Sequence, residues 1–283
     1  MAPLRLAAFA RAVEFQQAAE SWLARSERES NLVITTMAAA ARQEGSVHGW
    51  LVMSGEEPVL VLIQIPSQYL LVSRGEPGAA AWAADALQAE LPGVSGPAAA
   101  AAAFAKRWSE RTGCVAGLNR EMTLFTTERI AFFRRPRGAL RQARADEFDK
   151  LLRMSIEAAR DMNLPGPEQN PTSIEAGLHR AIAEGRQFVW AAGDTIRAMA
   201  SYVPARPAGG ARIRWVYTPA EFRGHGYGTA VSGALAEWLL GSGQAWVSLF
   251  ADNANPISTG MYRRLGFRPE YVHRTVRFER SLT

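Results

Sequence analysis

Hydrophobic residues follow two rhythms along this chain, and the changes of rhythm predict its elements. Leu6, Phe9, Val13 and Ala19 fall at helical spacing and predict an amphipathic helix over 4–23. A second helix is expected over 31–44. The rhythm then shortens: Gly49-Trp50-Leu51-Val52-Met53 reads as a strand, 55–58 as a turn, 59–65 as its hairpin partner and 69–73 as a third strand. After Arg74-Gly75-Glu76-Pro77-Gly78 a helix is expected through Trp82 to Leu87. Another is expected in the alanine-rich 97–108, which closes on Lys106-Arg107. Residues 122–133 read as one more strand, and the basic Arg134 to Gly138 as a boundary.

Beyond that boundary Leu140 to Ala143 reads as a short strand, and Asp146 is placed to cap a helix carrying Phe148, Leu151, Leu152 and Ile156. Asn163 to Pro171 is a loop rich in breakers, and Thr172 with Glu175 forms a capping-box pattern for a helix to Glu184. Residues 188–192 and 196–203 flank Gly193-Asp194 as a hairpin. Residues 245–250 read as a strand, and the end of the chain as a hairpin pairing 267–269 with 271–278.

The stretch between those pieces, Arg214 to Thr229, carries the chemistry. Ile213, Trp215 and Tyr217 alternate with Arg212, Arg214 and Thr218, an alternation broken by Val216, and Pro219 ends the strand. Gly224, Gly226 and Gly228 follow, then the helical apolar run Val231, Leu235, Trp238, Leu239. A strand, a glycine turn and a helix place unpartnered amides and the positive end of a helix dipole where an anion can approach bare backbone. A tight strand-to-helix connection is the plain alternative. The turn lacks the lysine of a P-loop, and its glycines have the wrong spacing for a dinucleotide fingerprint.

Arg223, Gly226 and Gly228 match the Arg/Gln-x-x-Gly-x-Gly/Ala loop of the GNAT superfamily of acyl-CoA-dependent N-acyltransferases. Downstream, Asn255 is followed seven residues later by Tyr262 and then by Gly266-Phe267, the second match that this family shows. Two motifs in order are far more specific than either one alone. The segments VYTPAEFRGHGYG and NPISTGMYRRLGF resemble in particular the branch that includes glycine N-acyltransferase relatives. The resemblance implies an α/β fold of the GNAT type, one mixed sheet flanked by helices. Its expected domain runs over 138–283, and residues 1–133 resemble a degenerate second copy, giving two GNAT-like domains in tandem. The degenerate copy is expected to bind no cofactor, because Glu76 sets a negative charge where a diphosphate would sit.

The same resemblance implies acetyl-CoA as cosubstrate and no metal. Val216, Tyr217 and Thr218 would meet the pantetheine arm, Val216 and Thr218 through their main chain. Arg223, Gly224, His225, Gly226, Tyr227, Gly228 and Thr229 would take the pyrophosphate. Asn255 would cap its helix and hydrogen-bond the pantetheine or a backbone bulge. Tyr262 would act as general acid toward the departing thiolate, its phenol being protonated at neutral pH. The general base has no assignment: where many such enzymes carry a glutamate on the central strand, this chain has Arg212 and Arg214, and Asp252, Glu221, His225 and His273 are undistinguished candidates. If the two arginines face the acceptor cleft they favour an acidic amine; exposed strand arginines are the alternative.

Composition narrows the partners. Charged residues make up 21% of the 283, as in an ordinary globular protein, and the net charge of +5 comes from arginine, with lysine only at positions 106 and 150. Arg134-Arg135-Pro136-Arg137 is too short a basic run to argue for nucleic acid. The single cysteine, Cys114, excludes an intrachain disulfide and fits a reducing cytoplasm. No signal peptide or membrane span is expected. The sequence reading is therefore a cytoplasmic N-acetyltransferase, monomer or homodimer, acting on a small-molecule or peptide amine. A catalytically silent acyl-CoA-binding or regulatory module is the alternative.

Overall fold

The computed structural model describes residues 2–42, 47–164, 169–205 and 209–279. Its elements repeat one order twice. The first pass is β1 (Leu4–Phe9), α1 (Ala12–Ala24), α2 (Glu27–Arg42), β2 (His48–Ser54), β3 (Glu57–Gln64), β4 (Leu70–Val72), α3 (Pro77–Ala86), β5 (Gly93–Pro97), α4 (Ala98–Thr112) and β6 (Val115–Thr127). The second is β7 (Ala139–Gln142), α5 (Phe148–Asp161), α6 (Pro171–Ala183), β8 (Gln187–Ala192), β9 (Thr195–Pro204), β10 (Gly210–Tyr217), α7 (Tyr227–Gly241), β11 (Trp246–Asp252), α8 (Pro256–Arg264) and β12 (Arg268–Glu279). The second order is the one expected from sequence. Two compact units result: Met1–Leu124 with Ala251–Pro256 and Pro269–Thr283, and Phe125–Phe250 with Ile257–Arg268.

In the first unit the strand order is β1-β2-β3-β4-β5-β12-β6. β3 and β4 are buried on both faces, so their apolar runs are nearly continuous. Leu60 and Leu62 join Phe104, Trp108 and the alanines of α3 in one cluster, while Val61 and Ile63, pointing the other way, join Phe15, Leu23, Val33 and Met37 of α1 and α2. In the second unit β10, β9, β8 and β7 run antiparallel, and β11 joins β10 in parallel. Val189, Met199 and Tyr217 pack with Leu151, Met154 and Leu178 of α5 and α6. Phe188 faces the opposite way, its ring 4.8 Å from that of Trp238 on α7.

Several sequence expectations change here. Residues 4–23 do not form one helix: Leu4–Phe9 is a strand paired with β2, from Leu4↔Ser54 to Phe9↔Gly49. Short apolar spacing fits either period, and an open sheet edge decided it. The helix proper buries Phe15, Ala19 and Leu23, one every fourth residue. β5, for which the sequence raised no expectation, is a strand in which Cβ atoms have no room. One at Gly93 would stand 2.2 Å from the carbonyl oxygen of Val276, and one at Gly96 2.6 Å from that of Val72. The strand expected at 122–133 ends at Thr127 and begins earlier, and the terminal hairpin is a single strand, Arg268–Glu279, paired with β5.

Two caps differ as well. Asp146 pairs with Arg144, while Glu147 bonds the Arg144 amide at 2.9 Å and Arg141 at 2.6 and 2.8 Å. That arrangement draws the Glu147 carboxyl from 4.5 down to about 2, chiefly through the Arg141 hydrogen bonds. At α6 the cap is Asn170, whose side chain accepts from the Thr172 amide, with Pro171 opening the helix in place of the Thr172–Glu175 box. Residues 43–44 of the second expected helix, and 165–168 of the expected loop, lie outside the described residues.

Candidate functional site

The site is built on β10. Its parallel register with β11 runs Gly210↔Trp246, Ala211↔Val247, Arg212↔Ser248 and stops there. On the other side its pairing with β9 shifts between Arg214↔Ser201 and Tyr217↔Met199, three residues set against two. Trp215 takes up this bulge with φ +54°, a conformation costing a bulky side chain about 1–2 kcal/mol. The main chain from Ile213 onward therefore lies outside the β11 ladder just where β10 kinks. The sequence signalled the kink as a broken alternation at Val216.

Beyond the strand the chain passes Thr218 and Pro219, makes one 3-10 turn at Ala220–Phe222 and enters the glycine loop. Gly224 and Gly226 have φ +80° and +81°, and Gly226 is the residue from which α7 starts. No heavy atom beyond the local chain lies within 4 Å of a Cβ placed at either position. The loop thus presents open backbone with the first amides of α7 behind it, a donor set suited to a phosphate group. At Gly228 an added Cβ would meet Thr218 Oγ1 at 3.4 Å and Met261 Sδ at 3.8 Å, so the loop lies against both the strand end and α8.

The side chains of the loop are partly committed. Arg223 donates from Nε to the Thr218 carbonyl at 3.1 Å and pairs through Nη2 with Asp161, the last residue of α5. The Tyr217 hydroxyl donates to the same carboxylate at 3.1 Å. Burial and that carboxylate push the Tyr217 phenol up to about 12, while the Arg223 guanidinium draws Asp161 down. Arg223 thus fastens the loop to strand and helix. The Thr218 carbonyl already accepts one of its two possible bonds, and Val216 is half-buried beside the bulge. His225 is exposed, with Nδ1 2.8 Å from the Arg223 carbonyl oxygen, and it stacks near Tyr227, whose ring meets Phe222 edge-on. Thr229 is half-buried in the first turn of α7.

Tyr262 lies on α8, 5% exposed, edge-on to Phe267 at 5.9 Å. Burial pushes its phenol up to about 12, and the neighbouring Ser232 hydroxyl of α7 pulls weakly the other way. The phenol is therefore un-ionised over the neutral range and retains a proton to give. Asn255 belongs to the other compact unit. It directly precedes Pro256, where α8 begins, and its amide bonds the Asp252 carbonyl at 3.0 Å. Asp252 is engaged by Arg120 at 2.8 Å, and His273 lies 2.8 Å from the Ser95 hydroxyl, both within that same unit. Glu221 is exposed in the 3-10 turn. Arg212 lies over the Phe250 ring, and Arg214 is exposed beside Trp215.

Sequence reasoning missed two residues here. Asp161 carried no signal, because its partners are distant in sequence. Ser232 did carry one: it is a serine set within a run of apolar and small residues, Ala230 to Ala236, and it is fully buried. Among the described residues no group of three His, Cys, Asp or Glu could hold a metal ion, and no helix is long and apolar enough to cross a membrane.

Residues 151–267 match the Acetyltransferase (GNAT) family. No curated protein matches the chain. Among solved structures it is similar to an acetyltransferase of the GNAT family from Colwellia psychrerythraea, at 12% identity and TM-score 0.61, over 98% of this chain and 100% of that one. It is similar also to a tandem GNAT protein from the clavulanic acid biosynthesis pathway, solved without AcCoA, at 14% identity and TM-score 0.56 over 98% of each chain. A third is a GCN5-related N-acetyltransferase from Sphaerobacter thermophilus, at 16% identity and TM-score 0.58, over 98% of this chain and 96% of that one. Identities this low speak to fold: a mixed α/β GNAT fold, occurring twice along the chain, with a GNAT acetyltransferase domain at 151–267.

Proposed function

We propose that this protein transfers an acetyl group from acetyl-CoA to a primary amine by direct attack of the amine on the thioester. The acetyltransferase is assigned to residues 138–283 and a GNAT-like, non-catalytic copy to 1–133, in a cytoplasmic protein. The observation that carries the reading is the open loop at Gly224 and Gly226, at the N-terminus of α7 and next to a strand that has left its ladder. In this assignment the loop from Arg223 to Thr229 takes the diphosphate, and Val216 to Thr218 meet the pantetheine. No metal takes part.

In the reaction the amine lone pair forms the C–N bond, the C–S bond breaks with its electron pair on sulfur, and the Tyr262 hydroxyl gives sulfur a proton. The proton lost by the nitrogen passes to water, which makes a dedicated carboxylate dispensable and fits a central strand bearing Arg212 and Arg214. The two loop and helix segments also support placement in the glycine N-acyltransferase-like branch. The near-complete burial of the Tyr262 phenol favours a second reading, a silent acyl-CoA-binding module.

Thiol release from acetyl-CoA, followed over amino acids, polyamines, aminoglycosides and peptides, separates the two. An enzyme turns over with at least one amine class and loses about 10²-fold or more in kcat on Tyr262→Phe. Saturable binding of coenzyme A without turnover would favour the silent module, and absence of binding would overturn both.

A further inference from the structure

Ser232 is the described residue of α7 whose hydroxyl is fully buried without a well-formed hydrogen bond, the Tyr262 phenol being the side chain placed to bond it. A serine inside a helix ordinarily turns its hydroxyl back to the carbonyl four residues earlier, here Gly228, and Ser232 forms no such bond. Leaving a buried hydroxyl unmade costs about 1–3 kcal/mol, in a helix whose other inward positions are alanine, valine, leucine and glycine. What lies opposite is fixed from two sides. One turn before Ser232, Gly228 faces Met261 on α8, and just after it, Gly233 faces Leu265, to which an added Cβ would come within 2.9 Å. Tyr262 sits between those two contacts, and its phenol is close enough to Ser232 to be influenced by it.

Building on the acid role given above to Tyr262, we infer that Ser232 is a positioning residue, aiming the Tyr262 phenol and donating a hydrogen bond to the phenolate left when the proton goes to sulfur. The bookkeeping of the step is closed: the phenol O–H bond breaks as the S–H bond forms, negative charge moves from sulfur to the phenolate oxygen, and the Ser232 O–H, staying covalently intact, faces that charge. The phenolate is reprotonated from solvent after the thiol departs. In the resting protein the hydroxyl has a neutral phenol before it, and the bond gains its strength only as charge develops, which is where a donor accelerates the step.

The test is a double-mutant cycle on the full chain, with acetyl-CoA and the best amine of the panel. Ser232→Ala is expected to lower kcat about tenfold with an unchanged KM for acetyl-CoA, and Ser232→Thr, which keeps the hydroxyl, to recover most of it. In a Tyr262→Phe background Ser232→Ala is expected to lower kcat no further, because the serine acts through the phenol. Thermal denaturation of Ser232→Ala should match or exceed the parent, since an unmade buried hydroxyl is removed. An equal loss in both backgrounds, or no loss in the parent, overturns the inference and leaves the acid role of Tyr262 standing. Unchanged turnover in Tyr262→Phe overturns that role, and this inference with it.

Discussion

Gly226→Ala tests whether the loop before α7 is a binding surface or merely a connection, because the chain supplies a matched control. Gly226 sits at φ +81°, ψ 6° and Gly113, which ends α4, at φ +73°, ψ 5°. At both, a Cβ would meet nothing within 4 Å, so neither substitution creates a clash. What remains is the left-handed backbone penalty of an L-residue, about 1–2 kcal/mol in each case, equivalent to roughly 2–8 °C in Tm for a protein of this size. The two variants should therefore lose similar stability. They should part on ligand binding. At Gly226 the methyl group projects into the space a diphosphate would use, and losing one close, charge-assisted amide bond costs about 1.5–3 kcal/mol, or roughly 10- to 100-fold in Kd. Calorimetric titration with coenzyme A reads this directly, with Gly113→Ala expected at parental affinity. Equal affinities in both variants, with equal losses of Tm, would make the loop a tight turn and nothing more.

Three further expectations rest on single contacts. Glu147, held near 2 by Arg141, stabilises the fold above the ordinary glutamate range and loses that contribution as pH falls from about 4.5 toward 2. Discounted for the partial exposure of Arg141, the contribution is about 2 kcal/mol, so Glu147→Gln should lower stability by that amount at pH 7 and flatten the acid limb of a denaturation series. Asp161→Asn breaks an exposed pair with Arg223, and its stability cost should stay under about 1 kcal/mol by urea denaturation, while the Tyr217 phenol, relieved of a facing carboxylate, titrates at lower pH. Gly96→Ala drives a Cβ to 2.4 Å from Val72 Cγ2 and 2.6 Å from its carbonyl oxygen. The strands must part, and a loss of about 2 kcal/mol or more is expected in the same assay.

The parts of the fold legible in sequence are those where one rhythm persists. β8, β9 and the turn at Gly193 show it twice over, and Gly224, Gly226 and Gly228 stand where a strand pattern gives way to a helical one. The parts that were not legible depend on a neighbour. Leu4–Phe9 is a strand because β2 offers an edge, and Gly93–Pro97 is one because Tyr69, Val72 and Val276 press on its glycines. β12 reads as a hairpin because Pro269 and Glu270 interrupt it, yet it runs through as one strand paired with β5. At the site, the glycine spacing named the loop, but nothing in sequence placed Asp161 on Arg223 or Ser232 beside Tyr262. Those contacts join α5 to the loop and α7 to α8, and only the packed fold brings them together.

The repeated element order invites a comparison between the two parallel strand pairs. In the first unit β4 and β5 pair at Leu70↔Val94 and Leu71↔Ser95, and one step on Gly96 lies so close to Val72 that only a glycine fits. The turn that follows is crowded too: a Cβ at Gly75 would stand 2.6 Å from Leu60, and Arg74 is paired with Glu29. In the second unit the corresponding pair ends at Arg212↔Ser248, the strand bulges at Trp215, and Gly224 and Gly226 face open space. One order of elements thus yields a packed junction in one unit and an open one in the other. The difference is made by Trp215 with its bulge and by glycines that side chains press upon at 75 and 96 but leave free at 224 and 226. If the chain binds one acyl-CoA, these residues decide where, and a titration of the full chain should give a single site that Gly226→Ala weakens and Gly75→Ala does not.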